Sequence, residues 1–182
     1  MCQRLGDEEI AWESVEILQV DERIAPDGDA DRNLTHMLES LPAAAVERLR
    51  PMPVTAGDLQ AAVAGYEGEL PEALDFVHLG LGPDGHTASL VPGDAVLEVT
   101  DRRVALTAGE YQGRRRMTLT YPALAAARSL FWLITGADKR DALAKLLAGD
   151  ETIPAGRVDA RDAIVLADPD AAGDAGVHSP PT

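Results

Sequence analysis

A glycine-rich stretch in the middle of the chain carries the residues best suited to acid–base chemistry. Residues 79–90 read LGLGPDGHTASL, so that Asp84 and His86 stand two positions apart in a turn. A neutral imidazole has a pKa near ~6.5 and can take a proton from water at neutral pH. A neighbouring carboxylate can fix the tautomer of that imidazole and stabilise the imidazolium. We therefore expect His86 to act as a general base that Asp84 orients.

Two other interpretations of this stretch stay open on the residues alone. A histidine held by an aspartate at such a turn is also typical of a helix cap or of the edge of a core. Residues 80–85 (GLGPDG) fit the G-x-G-x-x-G dinucleotide pattern as well. That pattern belongs to the first β–α turn and is followed about 20 residues on by an acid that binds ribose. Here it lies in mid-chain and residues 102–105 contain no acid, which disfavours nucleotide binding.

The neighbouring elements place the stretch where α/β proteins bind ligands. Residues 76–81 are mainly apolar, and residues 75–81 read as a buried strand. The carboxyl ends of parallel strands are the usual ligand-binding edge of such a sheet. We expect a helix to begin near Thr87, so that the backbone N–H groups of residues 87–89 would stabilise a developing oxyanion.

Two arginines are candidates for binding an anion. Arg23 ends the run Asp-Glu-Arg that follows a predicted strand, so it should reach the same sheet edge as His86. Arg116 ends the basic run 114–116, just before another predicted strand. Guanidinium groups bind phosphate or carboxylate in bidentate geometry. A solvated charge cluster is the ordinary alternative for both runs.

Strand-like and helix-like segments alternate along the chain, which is typical of a mostly parallel sheet covered on both faces, the α/β class. The predicted strands cover residues 15–21, 75–81, 104–107, 117–120, 130–135 and 163–166, and the predicted helices cover 34–49 with a break at Pro42, 55–70, 122–128 and 138–147. We expect one domain over residues 1–167. The tail 168–182 is rich in Asp, Ala, Gly and Pro without apolar periodicity, so we expect it to be disordered.

Composition limits the classes of partner. The 182 residues carry a net charge of −15, which argues against nucleic acid and anionic membranes because both attract clustered Lys and Arg. Cys2 is the only cysteine, so there is no intramolecular disulfide, and no spacing suggests a metal site. No signal segment or apolar run near the ~18 residues of a membrane span is evident. We expect a cytoplasmic protein and a monomer.

The residues also resemble a known family. Residues 80–92 (GLGPDGHTASLVP) are similar to the signature of the 6-phosphogluconolactonases, which share a superfamily with the glucosamine-6-phosphate deaminases. Asn33 matches the asparagine that follows the Asp-Glu-Arg loop of that family. The deaminases continue differently after their Asp-Gly-His, so residues 87–90 favour the lactonases. Three further blocks agree in order and spacing: Trp12 with 15–23 (VEILQVDER), 116–122 (RMTLTYP), and Thr135-Gly136 with Lys139.

This resemblance implies an activity and a fold. The activity is hydrolysis of 6-phospho-D-glucono-1,5-lactone to 6-phosphogluconate in the oxidative pentose phosphate pathway, by a carboxylic-ester hydrolase that needs no metal or organic cofactor. The fold is a three-layer α/β sandwich with a mostly parallel, Rossmann-like sheet. His86 would activate water and Asp84 would orient it. The residues expected to bind the sugar-phosphate lactone are Arg23, Arg116, Asp21, Asn33, Gly82, Gly85 and Thr87.

Two departures from the family qualify these expectations. Family members carry a strand, a Gly-Gly-x-Thr phosphate loop and a helix before the block that Trp12 opens, and we expect that N-terminal β–α unit to be absent here. They often carry a lysine where residues 111–113 read Tyr-Gln-Gly, and Arg114 or Arg115 would take its place. A sugar-phosphate isomerase or deaminase, and a truncated non-catalytic relative, remain as alternatives.

Overall fold

The computed structural model of the protein describes residues 8–159 and 161–173. The strands within these residues are β1 (Ile17–Leu18), β2 (Asp21–Arg23), β3 (Leu49–Arg50), β4 (Phe76–Leu79), β5 (Val104–Leu106), β6 (Arg116–Leu119), β7 (Ser129–Ile134) and β8 (Ala163–Ala167). The α-helices are α1 (Asn33–Ser40), α2 (Ala43–Val46), α3 (Leu59–Glu69), α4 (Tyr121–Ala125), α5 (Arg140–Leu147) and α6 (Pro169–Ala172). Short 3₁₀ turns cover Trp12–Ser14, Ala95–Glu98, Ala137–Lys139 and Pro154–Arg157.

The described strands form three sheets. Strands β4, β7 and β8 pair in parallel in the order β4–β7–β8, and β1 pairs in parallel with β3. The third sheet is antiparallel, with β6 between β2 and β5. Parallel pairing therefore predominates, as the alternation of strands and helices predicts. The antiparallel sheet is the part that matters for the site, because β2 and β6 carry the two candidate arginines.

The core lies on one face of the parallel sheet. Its members include Val77, Leu79, Leu130, Trp132 and Ile134, each 2% exposed or less. Burying a side chain of this size stabilises the fold by about 1.5–3 kcal/mol.

The opposite face of the parallel sheet is not covered by the described residues. Phe76, Ile164 and Leu166 are 57%, 49% and 50% exposed there. The alternation of buried and exposed positions along β4 and β7 shows that each strand presents two faces of different environment.

The predicted strand over residues 15–21 is instead two short strands in two different sheets. The chain changes sheets at Gln19, whose buried amide accepts the N–H of Met52 at 2.8 Å and donates to Glu22 at 3.0 Å. Residues 21–23, expected to follow a strand, form β2 themselves. A buried glutamine that bridges two sheets looks like any strand residue in the sequence, so the break was not predictable from periodicity.

Two further expectations are corrected by the structure. No helix begins near Thr87; residues 87–90 form a tight turn in which Ala88 has a φ of 47°. Part of the predicted disordered tail is helix α6, where Asp168 caps the helix by accepting the N–H of Ala171 at 2.7 Å. The Asp-Pro pair at 168–169 favours the start of a helix. The Asp, Ala, Gly and Pro content of the tail outweighed this local signal in the prediction of disorder. Residues 174–182 lie outside the described residues.

A buried carboxylate connects β2 to the start of α1. Glu22 is fully buried, and the side chain of Arg32, the residue that precedes α1, makes no capping hydrogen bond. Glu22 supplies the missing acceptor, which places a negative charge at the positive end of the helix. Its donors are the N–H groups of Asn33, Leu34 and Arg23 at 2.8 Å each, the Gln19 side chain at 3.0 Å and Arg32 Nε at 3.4 Å.

Replacing this carboxylate should destabilise the protein. We expect Glu22→Gln to lower the free energy of unfolding by about 3 kcal/mol, because buried donors lose a charged acceptor. The matched control is Glu16→Gln, since Glu16 is an exposed strand-edge acid paired with Arg50 at 3.3 Å. Exposed pairs contribute little, so this control should unfold with the parent. Equal urea midpoints for parent and Glu22→Gln would contradict the role given to Glu22.

Candidate active site

The Asp–His pair predicted from the sequence is formed. His86 Nδ1 lies 2.6 Å from Asp84 Oδ1, and the same oxygen accepts the backbone N–H of His86 at 3.1 Å. Partial burial alone would raise the pKa of the Asp84 carboxyl, but hydrogen bonds from the ring and backbone of His86 and from Tyr111 hold that pKa below its usual range. An ionised Asp84 therefore accepts the Nδ1 proton. The lone pair of the neutral ring then lies on Nε2, the atom available as a base.

Gly82 makes room for the imidazole. A Cβ at this position would lie 2.0 Å from His86 Nδ1 and 2.7 Å from Asp84 Oδ1, closer than any side chain tolerates. The N–H of Gly82 also donates to the carbonyl of His86 at 2.8 Å, which closes the turn. The absence of a side chain at Gly82 thus leaves the space that the His86 ring occupies. Gly82 also lines the cavity described below.

Gly85 and Thr87, both expected to bind substrate, have structural positions instead. Gly85 has a φ of 82°, and a Cβ there would lie 2.5 Å from Cβ of Ile153. The Thr87 hydroxyl is buried and donates to the carbonyl of Gly80 at 2.9 Å. Neither residue lines either of the two cavities described below. Both residues maintain the conformation of the glycine turn. From neighbouring residues in the sequence alone, this role cannot be distinguished from ligand binding.

Two of the three expected oxyanion donors, the N–H groups of Thr87 and Ser89, are engaged elsewhere, while Ala88 lies in the wall of the larger cavity described below. The Thr87 N–H donates across its tight turn to the carbonyl of Leu90 at 3.4 Å, and the Ser89 N–H donates to Thr118 Oγ1 at 3.1 Å. With no helix beginning here, the partial positive charge of a helix N-terminus is missing as well. Positive charge in this site comes from side chains.

Arg23 and Arg116 lie directly opposite each other on paired strands. The register of β2 and β6 makes them partners, so their side chains project from the same face. Arg116 is only 3% exposed, and burial together with the neighbouring Arg23 lowers the pKa of its guanidinium. Like charges facing across a strand pair destabilise a sheet. A bound anion would relieve that repulsion, which makes this pair an anion-binding arrangement.

Asp21 and Asn33 hold the arginines in place. The Asn33 side chain donates to Asp21 Oδ1 at 3.1 Å and accepts a hydrogen bond from Arg23. Asp21 also accepts the Ser89 hydroxyl at 2.6 Å and lies 4.0 Å from Arg116. Burial raises the pKa of the Asp21 carboxyl, although the Ser89 hydrogen bond and both arginines act in the opposite direction. Ser89 thus connects the histidine loop to β2, a role the sequence did not reveal.

The base and the arginines open onto one cavity. It has a volume of about 350 Å³, within the range of small-molecule sites, and His86, Arg23 and Arg116 all line it. Lys139 lines it too and adds a further cation beside Asp138, at 3.0 Å. Asp21, Asn33 and Gly82 are also in its wall.

An adjoining cavity of about 300 Å³ shares the two arginines with the first. Arg114 lines it while paired with Asp29 and Asp31, each at 3.0 Å. Arg115 instead donates to the carbonyl of Thr107, so it is Arg114 that lies near the site in this basic run. Arg23 and Arg116, which line both cavities, therefore give the shared wall its positive charge.

Tyr111 belongs to the site and was missed by the sequence analysis. Its hydroxyl donates to Asp84 Oδ2 at 2.9 Å, across 27 positions of sequence. The only local signal was an aromatic residue with a polar tip in the loop before Arg116.

The described residues contain neither a cluster suited to a metal ion nor a helix that could span a membrane. Across residues 8–159 and 161–173, no three His, Cys, Asp or Glu side chains are grouped so as to hold a metal ion. In the same part of the chain no helix has the length and apolar character needed to cross a membrane.

Comparison with known proteins identifies the family. A model described as glucosamine-6-phosphate isomerases/6-phosphogluconolactonase matches residues 1–166. A 6-phosphogluconolactonase from Mycobacterium tuberculosis is 34% identical over 188 residues, covering 91% of this chain and 75% of the relative. One from Nostoc sp. is 34% identical over 163 residues, covering 81% and 66%. The chain belongs to the glucosamine-6-phosphate isomerase/6-phosphogluconolactonase family.

A solved structure agrees with this assignment. The crystal structure of 6-phosphogluconolactonase from Thermotoga maritima has a TM-score of 0.82 to this chain at 25% identity, covering 91% of this chain and 78% of that one. The predicted α/β fold with mostly parallel sheets is thereby confirmed. The chain spans about two thirds of the length of the Nostoc relative and three quarters of the mycobacterial one.

The geometry predicts a steric requirement for Gly82. In the parent, long-range ¹H–¹⁵N NMR should show a neutral His86 ring with its proton on Nδ1. Gly82→Ala should abolish that signature, because the new Cβ would occupy the space of the imidazole. Gly80→Ala is the control, since a Cβ there meets nothing within 4 Å and should leave the tautomer unchanged. An unchanged tautomer in Gly82→Ala would refute the steric argument.

Proposed function

We propose that this chain hydrolyses 6-phospho-D-glucono-1,5-lactone to 6-phosphogluconate, as a carboxylic-ester hydrolase of the oxidative pentose phosphate pathway. One observation carries the proposal: an aspartate-held imidazole and two opposed guanidinium groups line the same cavity. A phosphorylated lactone needs both, a base to activate water at C1 and a cationic site for the phosphate. The family relationship supports the same activity.

The proposed chemistry starts at His86 Nε2. This atom takes a proton from a water molecule as the water oxygen bonds to C1 of the lactone. The imidazolium that forms is stabilised by Asp84 through the 2.6 Å contact at Nδ1. The tetrahedral intermediate then collapses, the C1–ring oxygen bond breaks, and His86 returns the proton to the leaving oxygen. The direct products are a carboxylic acid and a free hydroxyl, and His86 is neutral again. The acid then loses its proton to solvent and becomes the carboxylate.

The cations of the cavity are proposed to bind the charged parts of substrate and product. Arg23 and Arg116 hold the phosphate or the developing carboxylate, with Asp21 and Asn33 positioning them. Bidentate guanidinium contacts suit either anion. The reaction is proposed to proceed without a metal or organic cofactor, in the cytoplasm, with the protein as a monomer.

The isomerase branch of the family is the competing function. Its members act on amino-sugar phosphates, and the family description includes both activities. Residues 87–90 (TASL) resemble the lactonases at the point where the deaminases differ. Release of ammonia from glucosamine 6-phosphate, with no hydrolysis of the lactone, would replace the proposal. Binding of sugar phosphate without turnover of either compound would indicate a non-catalytic relative.

Removal of the base should abolish most of the activity. We expect His86→Ala to lower kcat for lactone hydrolysis at least about 100-fold, the ordinary contribution of a general base. The rate is measured at several pH values after subtracting spontaneous hydrolysis. In the parent the rate should fall as the pH is lowered, because an imidazolium cannot accept a proton. A variant that turns over at the parental rate would exclude His86 as the base.

The arginine pair should discriminate phosphorylated from unphosphorylated lactone. We expect Arg116→Gln and Arg23→Gln each to lower kcat/KM for the phosphorylated lactone at least about 10-fold, the size of one charge-assisted hydrogen bond. The unphosphorylated 1,5-lactone should be affected much less. Arg102→Gln is the control, since Arg102 is an exposed arginine paired with its neighbour Asp101. Equal losses on both lactones would argue against phosphate binding by this pair.

A further inference from the structure

We propose that Tyr111 is a positioning residue that joins the base to the anion site, with its hydroxyl fixing Asp84 and its ring supporting Arg116. The proposal rests on the proposed lactonase function. Tyr111 opens the Tyr-Gln-Gly run of residues 111–113, in the loop before Arg116.

The hydroxyl completes the hydrogen bonding of Asp84. It donates to Oδ2 at 2.9 Å, while Oδ1 accepts from the His86 ring at 2.6 Å. The tyrosine oxygen also lies 3.2 Å from His86 Nδ1. With a donor on each oxygen, the carboxylate cannot rotate about its Cβ–Cγ bond without breaking a hydrogen bond. The plane of the carboxylate, and hence the direction of the imidazole, is fixed.

The hydroxyl is suited to be the donor in this contact. Partial burial and the adjacent Asp84 raise the pKa of Tyr111, so the phenol keeps its proton at neutral pH. Its proton also takes up part of the negative charge of the carboxylate. The titratable group beside the pair is therefore the neutral Tyr111 phenol, and the Arg116 guanidinium lies beyond the tyrosine ring as a charged group.

The ring of Tyr111 contacts both halves of the site. Its centroid lies 5.0 Å from that of His86 in an edge-to-face arrangement. Arg116 Cζ lies 5.0 Å from the same centroid, a cation–π distance. Arg116 also donates to the Tyr111 carbonyl and to the Gln112 side chain, both at 3.2 Å. The base and the buried arginine are thus held by one residue.

The backbone fixes Tyr111 in this position. Residues 111–114 form a tight hairpin turn with positive φ at Gln112 and Gly113, as in a type I′ turn. The start of the loop is held by Asp94, which accepts the N–H groups of residues 108 and 109 at 3.0 and 2.9 Å. A short, well-bonded loop of this kind presents the side chain in one orientation.

The first test removes only the hydroxyl. We expect Tyr111→Phe to lower kcat roughly 10-fold, the loss of one hydrogen bond to a charged group, with KM nearly unchanged because the ring still supports Arg116. The acid limb of kcat/KM should move to higher pH, since an Asp84 that has lost a donor holds the imidazolium more strongly. NMR titration of the His86 ring should move in the same direction.

Tyr121→Phe is a matched control. The Tyr121 hydroxyl also makes one hydrogen bond, to the Pro154 carbonyl at 3.0 Å, and Arg157 also lies over its ring at 4.9 Å. It does not contact the Asp84–His86 pair, so a purely structural effect of losing a tyrosine hydroxyl would appear equally in both variants. We expect the control to leave the pH profile and the His86 titration unchanged.

A second variant tests the ring. Tyr111→Leu should show the same fall in kcat and, in addition, raise KM for the phosphorylated lactone several-fold, because Arg116 loses the surface above it. Parental kcat, pH profile and His86 titration in Tyr111→Phe would overturn the proposal, even if Tyr111→Leu fails to fold. A parent without lactonase activity would overturn the proposed function instead, and the His86 titration would then decide the role of Tyr111.

Discussion

The site depends on one constraint: the buried carboxylate of Glu22 accepts hydrogen bonds from backbone N–H groups. Glu22 and Arg23 are neighbours in β2, so their side chains project to opposite faces. Fixing Glu22 against the start of α1 on one face therefore fixes Arg23 toward the cavity on the other. The same carboxylate holds the N–H of Asn33, whose side chain bonds both Asp21 and Arg23. Removing the charge of Glu22 would loosen the anion site, although Glu22 contacts the residues that line this site only through their backbone N–H groups.

The site divides into two halves with different physical requirements. The Asp84–His86 pair needs an oriented hydrogen bond and a steric gap, which a glycine turn after β4 provides. The arginine pair needs like charges held together against repulsion, which the antiparallel register of β2 and β6 imposes. Ser89 and Tyr111 bridge the halves by hydrogen bonds that are remote in sequence. These hydrogen bonds link the Asp84–His86 pair to the arginine pair.

Local patterns predicted the elements and the dyad, and long-range contacts decided the rest. The apolar runs that became β4, β7 and β8, and the proximity of Asp84 and His86, follow from neighbouring residues alone. The helix expected near Thr87 does not form, because the amide and hydroxyl of Ser89 bond Thr118 and Asp21 on distant strands. Glu22 likewise resembled a solvated charge at the end of a strand, and Tyr111 resembled an ordinary loop residue, because partners of both lie in other segments of the sequence. Their partners are set by strand register, which one sequence does not display.

The face of the β4–β7–β8 sheet that residues 8–159 and 161–173 leave exposed bears on how the protein behaves in concentrated solution. Exposed apolar surface such as that of Phe76, Ile164 and Leu166 favours association of one copy with another. Each copy also carries a net charge of −15, and this mutual repulsion keeps copies apart in dilute buffer. Salt shortens the range of that repulsion, to about 3 Å at 1 M ionic strength. We therefore expect added salt to favour association of copies of this protein through the exposed sheet face.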